Sequence, residues 1–365
     1  MRGSFEANIY KIFMLVMWFF ILVKLFVQTK LDGMFIFVMA ITGVLIMIGV
    51  HIRLTKKEQK YYKEYIDVDY RLDDNFKKVY NELLIKHLRE LETLRKKIKP
   101  ETYILGVMFF ISLAISGYNM VLGIICIVAT MAMGIHVHGM YDKYLMIYKK
   151  DVIGTLVKEI DANLEYSKNY NVYETEAHYR DAMFLGNDFS YLKSDDCISG
   201  TIDNGFLILS DVVLKMSGNA NNYENNTCYE GCFVRIHSKV NSNLYLRINR
   251  NIEKLYSSNK FRVEMDSTEF EKYFDVFTND KIETMRILTH DIMDEIIDFA
   301  RYGIPFEIVI KDDNIYIKFN TGPMFEPYFN HDSMEPNLLY MYYCIVYFVI
   351  AVSKKIDNVL KDYIP

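Results

Sequence analysis

The sequence predicts α-helical transmembrane hairpins joined to a cytoplasmic α+β domain with a mainly antiparallel sheet. Two pairs of long apolar segments, each pair joined by a short turn, lie within the first 140 residues. Basic residues gather at the open ends of both pairs, as expected where helices leave a membrane on its cytoplasmic side. The rest of the chain alternates apolar and polar residues between tight turns, which is typical of antiparallel strands.

The first pair of apolar segments predicts a transmembrane hairpin within residues 1–54. Its arms run from Ile9 to Val27 and from Met34 to Ile52. Each arm is long enough to cross about 30 Å of hydrocarbon as a helix. A cleaved signal peptide has a shorter apolar region and a small-residue cleavage site, so we interpret the first arm as a retained anchor.

The second pair predicts another transmembrane hairpin within residues 101–140. The apolar sequence from Tyr103 to Met140 is interrupted by Gly117-Tyr118-Asn119, which is typical of a tight turn. Because its first arm is short, we expect flanking residues to extend it across the bilayer.

Charge at the ends of the apolar segments predicts the orientation. The opposite turns carry little charge, with Lys30 beside Asp32 in one of them. The basic side is cytoplasmic by the positive-inside rule, so we expect a multi-pass protein of the bacterial cytoplasmic (inner) membrane with its N-terminus and main domain in the cytoplasm. The basic residues on that side are Arg53, Lys56, Lys57, Lys60, Arg95, Lys96, Lys97, Lys99, Lys143, Lys149 and Lys150.

Residues 55–100 predict a charged cytoplasmic helical segment that ends at Pro100. A helix with one apolar stripe leans on another helix or on the folded domain. The stripe consists of Phe76, Val79, Leu83, Leu84, Leu88, Leu91 and Ile98.

Residues 141–335 predict the cytoplasmic α+β domain. A helix from Lys149 to Glu165 opens it, and Asn204-Gly205 signals a hairpin. A second hairpin is predicted around Asp312-Asp313-Asn314. Between them we expect a helix that Thr289 caps and that ends near Tyr302. The buried face of this helix consists of Ile292, Met293, Ile296, Ile297 and Ala300.

Residues 336–365 predict a C-terminal apolar helix that packs on the domain or on the membrane. The unbroken apolar run from Leu338 to Val352 is also compatible with a fifth transmembrane span. Its fifteen residues are shorter than the usual span, and its tyrosines suit a helix with one wet edge.

The two predicted cytoplasmic regions differ in net charge, and this difference indicates which partners to expect. The region from Asp142 to Pro365 contains 24 basic and 35 acidic residues, whereas Arg53 to Glu101 contains 14 basic and 10 acidic residues. An acidic domain is repelled by a phosphate backbone, so we expect no nucleic-acid partner. The bilayer itself is the expected partner of the apolar spans, and its anionic lipid headgroups are the expected partners of the juxtamembrane Lys and Arg residues.

Several sequence blocks, in a specific order and spacing, resemble a bacterial membrane-anchored family known as domain of unknown function 3137. The resemblance covers about Glu82 to Tyr328. It implies a membrane hairpin followed by a cytoplasmic domain, often encoded near LemA-type membrane proteins, with no established catalytic residue. The first hairpin and the apolar C-terminal helix depart from the family pattern. The blocks are Tyr148–Tyr166, Asp195–Asp203, Glu269–Asp280 followed by Arg286–Thr289 and Met293, and Met324–Pro327.

Two groups of residues are candidates for chemistry. Cys228, Cys232 and His237 are residue types that bind metal ions. Cysteines four apart on one strand lie about 13 Å from each other, however, so we expect no metal site here. Asp195 and Asp196 are adjacent carboxylates that can serve acid–base chemistry or bind cations, with Asp203 as a third candidate. Both Asp195 and Asp196 also fit a turn, where Asp forms local hydrogen bonds.

These observations favour a protein-interaction or scaffolding module at the membrane over an enzyme. The alternative is a membrane-bound hydrolase or lipid-modifying enzyme that uses the carboxylates. No cofactor is expected, because the sequence contains neither a Walker nor a dinucleotide-binding glycine pattern. The expected protein partner is another membrane protein, of LemA type by the resemblance, or a second copy of the chain. The five cysteines, odd in number and irregularly spaced, fit a reducing compartment.

Overall fold

The structure is a computed structural model that describes residues 72–168, 171–182, 184, 189–203, 205–216, 226–250 and 261–361. The predicted first hairpin therefore lies outside the described residues. The described chain forms two compact units. The first contains Lys86–Tyr148 and Pro327–Met334, and the second contains residues 72–85, Lys149–Glu326 and residues 335–361.

The helices and strands of the described residues are numbered in chain order. The helices are α1 Asp74–Val79, α2 Ile85–Tyr118, α3 Met120–Met146, α4 Gly154–Ile160, α5 Val172–Asp181, α6 Thr268–Tyr273, α7 Lys281–Ile287, α8 His290–Ala300 and α9 Asn337–Lys361, with π-helical segments at Tyr80–Leu84 and Ile147–Ile153. The strands are β1 Leu164–Ser167, β2 Tyr191–Ile202, β3 Gly205–Met216, β4 Asn226–Arg250, β5 Arg262–Val263, β6 Phe274–Thr278 and β7 Phe306–Phe319.

Helices α2 and α3 form an antiparallel pair in the first unit. The side chain of Asn119 caps α3 by accepting hydrogen bonds from the backbone N–H groups of Val121 and Leu122. Midway along the pair, the hydroxyl oxygens of Ser112 and Thr130 lie 2.8 Å apart and are buried. Each hydroxyl also lies within hydrogen-bond distance of a backbone carbonyl in its own helix, so the single proton of each hydroxyl has an acceptor inside the pair.

Pro100 does not end α2, which corrects the prediction of a helix boundary there. The helix continues through Pro100 to Tyr118. A proline inside a helix removes one backbone hydrogen bond. The apolar sequence that follows nevertheless remains helical, because a helix satisfies every other backbone group within the segment.

The outer surface of the α2–α3 pair is apolar over residues 102–135. Residues 102–135 contain no Asp, Glu, Lys or Arg. Among the residues that the structure describes, three helical segments could cross a membrane by length and composition: Asp74–Ser116, Val121–Ile160 and Asn337–Lys361. In the first two segments 18% and 17% of the most apolar 18-residue stretch is buried, whereas in the third segment 78% of it is buried. The large apolar side chains exposed within residues 102–135 are Tyr103, Ile104, Val107, Ile111, Val121, Leu122, Ile124, Ile125, Val128, Met131 and Ile135.

The segment Pro327–Met334 packs against the charged ends of α2 and α3 within the same unit. The ring of Phe329 contacts the rings of Tyr141 and Tyr144 at centroid distances of 5.9 and 5.5 Å. Arg95 binds both carboxylate oxygens of Glu92 and donates to the carbonyl oxygen of Phe329 over 3.3 Å. The backbone N–H of Ser333 donates to the same carboxylate over 3.1 Å, so Glu92 ties both elements together.

The strands of the second unit form one sheet with the order β1-β2-β3-β4-β6-β5, and β7 pairs with β4. Every pair between these strands is antiparallel, which confirms the predicted sheet type. The pairing of β2 with β3 ends at Ile202 opposite Gly205, where the first hairpin was predicted.

Strand β7 folds back on itself and forms the second predicted hairpin. The backbone N–H of Asn320 donates to the carbonyl of Pro305 over 2.9 Å, and Lys318 lies opposite Glu307 at 3.2 Å. In a straight strand, Glu307 and Lys318 would lie about 40 Å apart. Asp312 adopts a φ of 54°, the left-handed conformation that a tight hairpin turn uses.

The β7 hairpin lies between two halves of β4. Residues 232–237 of β4 pair with residues 314–319, and residues 245–249 pair with residues 307–311. The first half of β4 has β3 on its other side, and the second half has β6. Neighbouring strands across the sheet are therefore β1, β2, β3, the first half of β4, the two arms of the β7 hairpin, the second half of β4, β6 and β5.

Helix α5 covers one face of this sheet. Tyr179 of α5 contacts the ring of Phe233 at 5.1 Å within a buried cluster that also includes Phe184 and Tyr316. At the end of α5, the carboxylate of Asp181 accepts hydrogen bonds from Lys311 and from the hydroxyl of Tyr316. These two contacts fix α5 to the β7 hairpin.

Helices α8 and α9 cover the other face. Phe299 of α8 stacks on Phe348 of α9 at 4.1 Å, and Phe348 also contacts Phe319 of β7. All five residues predicted for the buried face of α8 are buried. Thr289 precedes α8, but its carbonyl rather than its side chain accepts the first hydrogen bonds. Helix α9 is tied to the sheet by a buried hydrogen bond of 2.6 Å from Ser238 to Asp357.

The helix predicted from Lys149 to Glu165 is shorter than expected. The chain is π-helical over Ile147–Ile153, α4 ends at Ile160, and Glu165 lies in β1. Asp161 leaves the helical conformation, and its side chain accepts a hydrogen bond from the backbone N–H of Asn163. This local turn competes with the helix and ends it.

Candidate functional site

Four segments of the second unit bring charged and polar side chains to one place. Lys149 comes from the π-helical segment, and Tyr166 from β1. Asp196 lies in β2 where the pairing with β3 is irregular between Ser194 and Cys197. At this bulge Asp196 is buried together with the next two residues of the strand, Cys197 and Ile198, instead of alternating with them between the two faces. The fourth group is Glu326, shortly after β7.

Lys149 is the centre of this cluster. Its Nζ lies 2.7 Å from Oδ2 of Asp196 and 2.8 Å from Oε1 of Glu326. The hydroxyl of Tyr166 donates a short hydrogen bond to the other oxygen of Asp196. Asp196 is fully buried, whereas the side chain of Glu326 remains 29% exposed. Both oxygens of the buried carboxylate therefore have a donor.

Burial and charge act in opposite directions on the cluster. Burial lowers the pKa of Lys149, but the negative charges of Glu326 and Asp196 outweigh this effect and leave the pKa above its ordinary value. Burial raises the pKa of Asp196, and the charge of Lys149 opposes that shift only in part. The geometry favours the ion pair, because Asp196 accepts hydrogen bonds from both Lys149 and Tyr166. Burial also raises the pKa of Tyr166, so this hydroxyl stays protonated and donates.

The carboxylates could also hold a metal ion by position alone. One oxygen from each of Asp195, Asp196 and Glu326 lies within 4.8 Å of the others. The ammonium group of Lys149 already bonds two of these three carboxylates. A divalent cation at this position would have to displace a bound positive charge.

Asp203, the third predicted carboxylate, does not join the cluster. It lies in the turn that follows β2, with a φ of 33°, and its carboxylate is 3.3 Å from Nζ of Lys354. Seven residues of extended strand separate it from Asp196, which corresponds to about 23 Å. Of the three predicted carboxylates, Asp195 and Asp196 therefore lie together, and Asp203 lies apart from them.

The structure does not bring Cys228, Cys232 and His237 together. Cys228 is exposed and Cys232 is fully buried. His237 is an odd number of residues from Cys232 on the same strand, which directs it to the opposite face. Its Nδ1 lies 3.4 Å from Asp313 in the β7 turn. Burial raises the pKa of Cys232, so this thiol stays protonated.

Sequence reasoning missed Lys149, Tyr166 and Glu326 as members of the site. Each lies within one of the stretches that carry the family resemblance, which was the available signal. Phe325 precedes Glu326 with a φ of 59°, an unusual conformation for a residue other than glycine. Its ring packs on Tyr166 at 6.3 Å and on Tyr342 at 5.1 Å, and these contacts hold Glu326 in position.

Comparisons with known proteins add one assignment. No curated protein matches the chain. A solved structure, the "crystal structure of the mycobacterial trehalose monomycolate transport factor A, TtfA", is similar at 8% identity and a TM-score of 0.34, with 60% of this chain and 97% of that chain covered. A TM-score of this size supports no argument about this chain. Residues 227–357 match the family described as "Protein of unknown function (DUF3137)", which confirms the predicted resemblance over residues 227–328. The match continues over most of α9, so the expectation that the C-terminal helix departs from the family pattern is wrong.

Proposed function

We propose that this chain is a membrane-anchored protein whose α+β domain binds another protein or scaffolds a membrane complex. The observation that carries the proposal is the α2–α3 pair, which exposes an uncharged apolar surface while its polar Ser112 and Thr130 groups are satisfied inside. Such a surface is stable in lipid and unfavourable in water. The anchor is continuous in sequence with the folded domain.

The location follows from the charge at the ends of the anchor. Lys96, Lys97 and Lys99 precede α2's apolar part, whereas the turn at 117–119 carries no charge. The positive-inside rule then puts the domain in the cytoplasm, at the inner membrane of a bacterial cell. A LemA-type membrane protein or a second copy of the chain is the proposed partner.

An interaction role is better supported than the alternative of a membrane-bound hydrolase or lipid-modifying enzyme. The enzyme needs several accessible carboxylates together, but Asp196 is fully buried and bonded to Lys149 and Tyr166, which leaves Asp195 as the one predicted carboxylate of this cluster that is partly exposed. Asp203 lies in a separate turn and pairs with Lys354. The cluster therefore supports the fold of the domain rather than a reaction.

Purification of the full chain in mild detergent tests the proposal. We expect a defined homo-oligomer or a stable complex with a LemA-type protein, measured by light scattering after size-exclusion chromatography. Cross-linking in intact cells before solubilisation controls for complexes that detergent dissociates. A lone monomer in both experiments would contradict an interaction role.

A further inference from the structure

The cytoplasmic end of the anchor carries lysines that the surrounding carboxylates do not neutralise. Residues 86–101 contain six basic and three acidic residues. Glu92 is bound by Arg95, and Glu90 lies 3.0 Å from Lys143. Glu101 lies 3.5 Å from Nε2 of His136. Glu92 and Glu90 are thus paired with Arg95 and Lys143, and the contact of Glu101 is with His136 rather than with Lys96 or Lys97.

Lys96 and Lys97 remain exposed beside the apolar surface. The side chain of Lys96 is 72% exposed, and its contact with Glu92 is to a carboxylate that Arg95 already binds. The side chain of Lys97 is exposed and makes no ion pair or hydrogen bond with any residue that the structure describes. The uncharged stretch begins at Thr102, about 8 Å further along the helix axis from Lys97.

We infer that Lys96 and Lys97 bind anionic phospholipid headgroups where α2 enters the bilayer. The inference rests on the proposed membrane anchoring and names the lipid class that the anchor selects. The distance from Lys97 to the apolar surface is within about one Debye length at physiological salt. Tyr103, exposed at the start of the same surface, suits the interface between headgroups and acyl chains.

Fluorescence quenching by brominated lipids measures this selectivity in the full chain. The change Tyr103→Trp, made together with Trp18→Phe, places the chain's one indole beside the proposed contact. The protein is reconstituted into vesicles of brominated phosphatidylcholine, brominated phosphatidylglycerol or unbrominated mixtures. The ratio of quenching by the two brominated lipids in mixed vesicles gives their relative affinity at the site.

We expect phosphatidylglycerol to be preferred at low salt. Each Lys→Gln change at 96 or 97 should reduce the preference about fivefold at most, since a lysine at a membrane surface contributes about 1 kcal/mol. Lys86→Gln is the matched control, because Lys86 lies on the same helix about 24 Å from Thr102 and is screened. High salt should remove the preference in every variant.

The outcomes separate this inference from the proposed anchoring. Equal quenching by the two lipids in the unchanged chain, or an unchanged preference after Lys96→Gln with Lys97→Gln, would overturn the headgroup contact and leave anchoring intact. Absence of quenching by either brominated lipid would show that Tyr103 does not reach the bilayer, and would contradict the anchoring itself.

Discussion

Lys149 and Asp196 form a buried ion pair of 2.7 Å across 47 residues of sequence. Glu326 adds a second contact to Lys149 across 177 residues. The three side chains connect the π-helical segment, β2 and the chain after β7, so they join the beginning and the end of the sheet domain. Buried pairs of this kind cost free energy to desolvate, and the loss of one partner is therefore more damaging than its contacts suggest.

The first prediction concerns this pair. Lys149→Met leaves the Asp196 carboxylate buried without a countercharge, and should lower the free energy of unfolding by about 3–5 kcal/mol. Thermal unfolding of the detergent-solubilised full chain measures the effect. Lys77→Met is the control, because Lys77 and Asp74 form an exposed pair that solvent screens, so its loss should leave thermal stability almost unchanged. Equal small losses in both variants would contradict a structural role of the cluster.

The second prediction concerns divalent cations. Mg²⁺ or Ca²⁺ should not raise the melting temperature of the unchanged chain, because the Lys149 ammonium occupies the space between the carboxylates. In Lys149→Ala the three carboxylates of Asp195, Asp196 and Glu326 lose their countercharge, and a divalent cation should then stabilise the domain. A stabilisation of the unchanged chain that Glu326→Gln abolishes would instead identify a resident metal site.

The third prediction is a pH dependence at the base of the anchor. Burial opposes ionisation of Glu92, but Arg95 and the backbone N–H of Ser333 outweigh it and lower the pKa to about 2. Because the pKa of Glu92 in the folded chain is below the usual value of 4.5, ionised Glu92 contributes fully to the stability of the fold above pH 4.5. This contribution is lost as the pH falls towards 2. Glu92→Gln should destabilise the chain at neutral pH by on the order of 1–3 kcal/mol.

The comparison of the two proteins across the acid range is the measurement. The difference in melting temperature between the unchanged chain and Glu92→Gln should shrink between pH 4.5 and pH 2. A difference that stays constant over this range would show that Glu92 acts by shape rather than by charge.

The fourth prediction concerns the contact between the helices of the anchor. A Cβ atom on Gly123 would lie 2.4 Å from Cα of Ser116, so Gly123→Leu should force the helices apart and destabilise the pair by about 1–3 kcal/mol or more. Gly139→Leu is the matched control, since nothing lies within 4 Å of a Cβ atom added there. Similar thermal stability of the two variants would contradict close packing at Gly123.

The fifth prediction is the topology. A cysteine introduced at Gly117 or Asp32 should react with an impermeant thiol reagent in intact cells, because both turns are expected outside the cytoplasm. Cys228 should stay protected until the membrane is opened, and it is the informative native thiol because Cys197 is fully buried. Asp362→Cys should also be protected if α9 stays with the domain. Labelling of Cys228 in sealed cells would invert the orientation.

The sequence predicts the local structure of this protein well where a short-range signal exists. Asn119 caps a helix, and Asp312 takes the left-handed conformation of a hairpin turn, as their residue types favour. The sequence indicates Asp195 and Asp196 as candidates but not Lys149, because no local rule pairs Asp196 with a lysine 47 residues away. Pro100 shows the converse, since a strong local signal was overridden by its surroundings.

The sequence by itself determined the apolar helical hairpin at 102–135, the antiparallel sheet, both β-hairpins and the buried face of α8, because periodicity, turn residues and charge act over a few residues. Only the tertiary structure decided that the β7 hairpin inserts between the halves of β4 and that Lys149 neutralises Asp196 and Glu326. It also decided that α9, apolar enough to cross a membrane, packs on the sheet through Phe348 and Asp357. Such choices depend on which distant surfaces bury one another, and composition does not encode that pairing.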